Sequence, residues 1–140
     1  MSALAVLAVL AVACDDGGPS TAPPVTGPTI VIAGDPVPAA TLTDALANLC
    51  TARDEAPDRP QAAEARFFDR SHATLHLIAR ALEDVDRPLA ARLLEAKQKV
   101  EADFSGLASG DRVADDLARL VAVTGDGLDR LAVPLPPCAK

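Results

Sequence analysis

The sequence predicts an all-α domain, a small antiparallel up-down four-helix bundle that follows a disordered Pro- and Gly-rich tether. Three observations point there. From Thr41 onward, apolar residues recur with the 3-4 spacing of helices that bury one face. The periodic stretches are separated by short segments carrying Pro or Gly, so successive helices turn back on one another. No β-rich segment is longer than Ile30–Ile32.

Helix one opens with Thr41 or Thr43 as N-cap, and Asp44 suits its first turn. Leu42, Ala45, Leu46 and Leu49 share one face, and the helix stops before Pro57-Asp58-Arg59-Pro60. Helix two runs from about Gln61 to Val85. Its seam is Phe68, Ser71, Leu75, Ile78, Leu82 and Val85, at 3-4-3-4-3 spacing. Asp86 caps helix three, and Pro88 falls in the first turn, where a missing N–H costs little. Leu89, Leu93, Ala96, Val100 and Phe104 form its buried stripe, and Ser105-Gly106 ends it. Asp111 opens helix four, with Val113, Leu117, Leu120, Val121 and Thr124 inward. Gly125-Asp126-Gly127 is expected to break or kink that helix, with Leu128 and Leu131 in one last turn. Glu95–Lys99 and Glu83–Arg87 stand at the favourable i,i+4 spacing for ion pairs.

Charge and aromatic content exclude one class of partner. The formal net charge is −7, and there is no Trp or Tyr and only three Phe. An acidic chain without a basic stripe is not built for nucleic acid, and the phenylalanines are needed by the core.

Residues 15–40 hold six Pro and four Gly, too little apolar surface for a core, and read as an extended tether. Ile30-Val31-Ile32 is the one apolar island, a short strand-like dock. Ahead of the tether, residues 3–13 are an unbroken run of Ala, Leu and Val. Eleven residues are too few for a bilayer-spanning helix, which needs about 20. They fit the apolar region of a secretory signal. Taken alone, the run also fits an ordinary cleaved signal or a buried apolar helix.

The residues that close the run are more specific. Ala11-Val12-Ala13-Cys14 resembles the lipobox of bacterial lipoproteins, with Ala11 where Leu is usual and no basic residue ahead of the run. The resemblance covers the N-terminus only. It implies that the Cys14 thiol receives a diacylglyceryl group and that a signal peptidase cuts before it. Residues 1–13 are then signal peptide, 14–40 the lipid-attachment cysteine and tether, and 41–140 the bundle domain. Two or more acyl chains anchor a protein stably where one does so only marginally. The expected location is the extracytoplasmic face of a membrane, attached through lipid.

Three cysteines in an exported chain leave one over. Acylation would consume Cys14, leaving Cys50 and Cys138 in an oxidising compartment as a disulfide, two thiols or a two-sulfur metal site. The disulfide is the expected outcome. Cys138 follows Pro134-Leu135-Pro136-Pro137, an extended tail that such a bridge would pin to helix one. Closing a loop of this size contributes about 4–5 kcal/mol in the chain-entropy model.

The two histidines, His72 and His76, stand four apart, with Asp69 three before the first. On a regular helix they lie about 70° and about 110° from the centre of the core seam, flanking it without entering it. Asp69 and Glu83 fall on the same flank. Imidazole and carboxylate suit Zn²⁺ or Cu²⁺. The plainer expectation is two boundary histidines packed on a neighbouring helix, with any metal bound weakly. Catalytic parts are missing: there is no nucleophile elbow and no phosphate loop, so no enzymatic activity is expected. Asp115-Asp116 and the run Glu101-Ala102-Asp103 read as solvated helix faces. The expected function is a lipid-anchored binding module whose partner is another envelope protein. The rivals are a metal-binding or metal-delivery lipoprotein using Asp69, His72 and His76, and a structural spacer.

Overall fold

A computed structural model describes residues 27–139. It is a helical bundle with one small sheet. The lipobox, Cys14 and the first part of the expected tether lie outside the described residues.

The first departure from expectation lies at the end of that tether. Strands β1 (Thr29–Ile32) and β2 (Asp35–Pro38) pair antiparallel, with Ile32 opposite Asp35 and Thr29 opposite Pro38. The two residues between them, Ala33 and Gly34, both have positive φ (54° and 94°). A two-residue hairpin requires this, because such turns match the right-handed twist of the strands. Pro36 and Pro38 weaken the strand signal in the sequence, yet an edge strand tolerates residues without an N–H. Ile32 is buried in the core and Ile30 packs against it. The folded part therefore begins ahead of Thr41.

Helix α1 (Ala39–Glu55) starts directly from β2, and neither Thr41 nor Thr43 caps it. The hairpin satisfies its first donor instead, since Ala39 N–H bonds Pro28 O at 2.8 Å. Thr43 donates its hydroxyl to Pro134 O (2.8 Å), which ties down the C-terminal tail. Leu42, Ala45, Leu46 and Leu49 are buried as the spacing predicts. At the far end, Arg66 makes a two-pronged contact with Glu55 (2.9 and 3.1 Å), and Arg59 adds a third bond.

The expected second helix is one rod in three parts: α2 (Pro60–Arg66), a π turn (Phe67–Ser71) and α3 (His72–Glu83). Its buried residues explain the interruption. Ala63, Phe67, Ser71 and Leu75 are all inside, each four after the last. In a regular α-helix three such steps drift by about 120°. The π turn takes up the excess and keeps all four facing inward. Phe67, not Phe68, therefore enters the core, and Phe68 is 41% exposed. Val85, placed on the seam by spacing, lies beyond the helix and is 48% exposed. Ser71 is buried but satisfied, donating to Ala45 O at 2.9 Å.

Helix α4 (Arg87–Ser105) begins as expected, with Asp86 accepting from Leu89 N–H (3.1 Å), and ends at Gly106. Its buried stripe contains Lys97 where spacing favoured Ala96. Helix α5 (Gly110–Arg130) is capped by Ser109 rather than opened by Asp111. It runs unbroken through Gly125-Asp126-Gly127. Gly110 and Gly127 are sites of close approach. A β-carbon would lie 2.3 Å from Ala56 O at the first and 2.9 Å from Leu82 Cδ1 at the second. Beyond α5, Val133 is buried, and Cys138 is disulfide-bonded to Cys50 of α1, with Cα atoms 6.2 Å apart.

Candidate functional site

Besides the Glu55–Arg59–Arg66 contact of α1 with α2, helix packing forms two polar clusters, one on each side of α4. The first faces α3. His72 Nε2 lies 2.6 Å from Glu101 Oε1, and Lys97 Nζ donates to the same oxygen at 2.8 Å. Lys97 is buried along α4, so its ammonium reaches this carboxylate from inside the bundle. His76 stands one turn above His72, with ring centroids 5.2 Å apart and planes nearly perpendicular. Phe67 and Phe68 wall the other side of His72, at 5.8 and 5.5 Å.

The electrostatics follow from these contacts. Burial pushes the Glu101 carboxyl upward, but hydrogen bonds from Lys97 and then His72 outweigh it and hold its pKa below the usual value. His76 is moved below the ordinary imidazole value, first by desolvation and then by the nearby Lys97 ammonium and His72.

Asp69 does not join the histidines. It belongs to the π turn, is exposed, and lines a shallow depression with Arg66 and Arg70. On a regular helix Asp69 would share a flank with His72, and the π turn changes that register. Among the described residues no group of three or more His, Cys, Asp and Glu side chains is placed to hold a metal ion. The intended third ligand is absent from the site, and the carboxylate that does reach His72 already holds a lysine ammonium.

The second cluster lies between α4 and α5 and corrects two expectations. Asp103 and Asp116 are not solvated: they are 5% and 2% exposed. Asp103 Oδ1 is paired with Arg112 Nε at 3.1 Å. Asp116 Oδ1 takes Lys99 Nζ at 2.9 Å and is also bonded by Arg119. Lys99 thus reaches across to α5 rather than along its own helix to Glu95. Helix phase carried a signal for these residues. Asp103 follows Val100 by three, Lys97 follows Leu93 by four, and Asp116 stands three after Val113 and four before Leu120. Reading charged residues as surface hid it.

Cys50 and Cys138 are bonded to each other and offer no thiol pair to a metal. Among the described residues no helix is long and apolar enough to cross a membrane. Comparison with known proteins gives no match: no family model, no curated protein and no solved structure is significantly similar to this chain.

Proposed function

We propose that this protein is a lipid-anchored, extracytoplasmic helical domain that acts by binding another protein of the cell envelope. The observation that carries the reading is the Cys50–Cys138 bridge. A structural disulfide belongs to an oxidising compartment. It also accounts for two of the three cysteines, leaving Cys14, the residue in the lipobox-like sequence. The contacts of α1 with α5, α5 with α4 and α4 with α3 support an up-down order for the four rods. Such a domain offers helix faces to a partner, and neither polar cluster pairs a nucleophile with a general base.

Two measurements test this. Cells making the Cys14→Ser variant should lose incorporation of labelled lipid and retain or shed the unprocessed protein; unchanged labelling overturns the anchor. Photo-crosslinkers on exposed positions of α3 and α5 in intact cells should give one discrete heterologous adduct. No adduct at any position would favour the structural spacer.

The metal reading has one supporting contact, His72 with Glu101, and two opposing ones. Asp69 stands apart, and Lys97 already neutralises Glu101. Zn²⁺ or Cu²⁺ binding is therefore expected to be no tighter than micromolar, about 8 kcal/mol. It should weaken as pH falls, because a ring nitrogen that holds a proton cannot hold a metal. Calorimetry showing a one-to-one nanomolar complex that needs both His72 and His76 would reverse the order of the two readings.

A further inference from the structure

The corner where α4 turns into α5 contains two buried acids whose second oxygens have no partner. Asp103 Oδ2 and Asp116 Oδ2 are both shielded from solvent and accept no hydrogen bond from any described group. Their first oxygens are occupied by Arg112 on one side and by Lys99 and Arg119 on the other. The two carboxyl groups lie within hydrogen-bonding reach of each other.

Two ionised carboxylates are disfavoured here, even with three cations around them. They would place like charges in contact and leave two buried acceptors unsatisfied. A single proton relieves the repulsion, because a neutral acid can donate to the neighbouring carboxylate. The surroundings say which acid keeps the proton. Asp116 faces two cations and Asp103 one, so the negative charge belongs on Asp116 and the proton on Asp103.

We propose that Asp103 and Asp116 share one proton across the α4–α5 interface, and that losing it loosens this corner of the bundle, making it a pH-sensitive joint. The groups that face the pair are Lys99 on α4, Arg112 and Arg119 on α5, and Glu64 on α2. Glu64 lines a cavity of about 230 Å³ together with Asp103, Phe104, Leu107 and Val113. Between the helices, Leu107 has φ +55° and is 92% exposed.

The sign follows from the two shifts. The hydrogen bond to Asp116, and then burial, raise the pKa of Asp103. Its contribution is complete below the pKa of an unfolded aspartate and is lost as pH rises through the folded value. Asp116 is lowered: burial opposes this, but the hydrogen bonds from Asp103 and Lys99 win. Its contribution is present above the unfolded value and is lost as pH falls through the folded one. The pair titrates as a unit and is most favourable in the window between, where it holds one proton.

The test uses the full chain with its disulfide intact. Carboxyl ¹³C NMR of the wild type should find Asp103 protonated above the ordinary aspartate range. Amide exchange at the corner, corrected for its intrinsic rate, should accelerate with pH by up to about tenfold per pH unit, the slope for one linked proton. Asp103→Asn keeps a donor for Asp116 and cannot titrate, so its corner protection should not change with pH. If Asp103 titrates at or below the ordinary aspartate range, or if the asparagine variant keeps the wild-type pH dependence, the proposal is overturned. Should that variant fail to fold, the wild-type NMR titration decides alone.

Discussion

The rod made of α2, the π turn and α3 and the single helix α5 are of similar length, and each contradicts its sequence in the opposite sense. The first carries no helix breaker between Gln61 and Glu83, yet it leaves the α-helical path at Phe67–Ser71. The second contains Gly125 and Gly127, yet it continues to Arg130 without interruption. Propensity therefore does not decide where these helices deviate; the packing phase does. The first rod must keep four inward residues at a spacing of four, which a regular helix cannot do. In α5 the inward residues already fit the α period, and Gly127 provides room for Leu82 of α3. A glycine costs a helix interior up to about 1 kcal/mol, small enough for a close contact to offset.

The comparison can be broken most sharply at the two adjacent phenylalanines. Phe67→Ala should destabilise by about 3–5 kcal/mol, because a fully buried ring leaves a cavity. Phe68→Ala should cost about 1 kcal/mol, the value of a half-exposed ring in edge contact with Phe67. Denaturant melts showing equal costs would mean that the seam runs through Phe68 and that the π turn is not the reason for the register. Leu75→Ala, on the regular side of the turn, should cost about 2–5 kcal/mol in the same experiment.

The glycines of α5 give the next contrast. Gly127→Ala should lower stability by about 1–3 kcal/mol, since its β-carbon drives into Leu82. Gly125→Ala meets only Ala139 Cβ, at 3.9 Å, and should raise stability by about 0.5–1 kcal/mol through helix propensity. Thermal melts in which the two substitutions behave alike would show that propensity, not contact, governs this stretch.

A last contrast concerns the contact that joins the interrupted rod to α4. Glu101→Gln should cost about 1 kcal/mol near neutral pH by weakening its bonds to His72 and Lys97. Glu101 is held below its usual pKa, so its contribution is present above the unfolded glutamate value and is lost as pH falls through the folded one. The stability gap between wild type and variant should therefore close on acidification. A gap that stays constant while Glu101 is carried through its folded-state titration would assign the cost to packing rather than to charge.

Some features were legible because they are local. Asp86 and Pro88 announce the start of α4, Gly106 its end, and the inward set Val113, Leu117, Leu120, Val121 and Thr124 follows from spacing alone. The Cys50–Cys138 bridge was legible by elimination once Cys14 was set aside with the lipobox-like sequence. Other features were not. The hairpin at Thr29–Pro38 lacks β-rich length and holds two prolines. It exists because Ile32 finds a buried place against helices remote in sequence.

The sequence by itself determined the helical period, most of the inward faces, the disulfide partners and an acidic composition without Trp or Tyr. These depend on residue type and on spacing within a few turns. Tertiary structure alone decided the π turn, the unbroken α5, the separation of Asp69 from the histidines, and the partners of Lys97, Asp103, Asp116 and Glu101. The physical reason is common to all of them. A charged or strained residue is tolerated inside only when a group from another element satisfies it, and spacing within one helix does not reveal which group another helix will present.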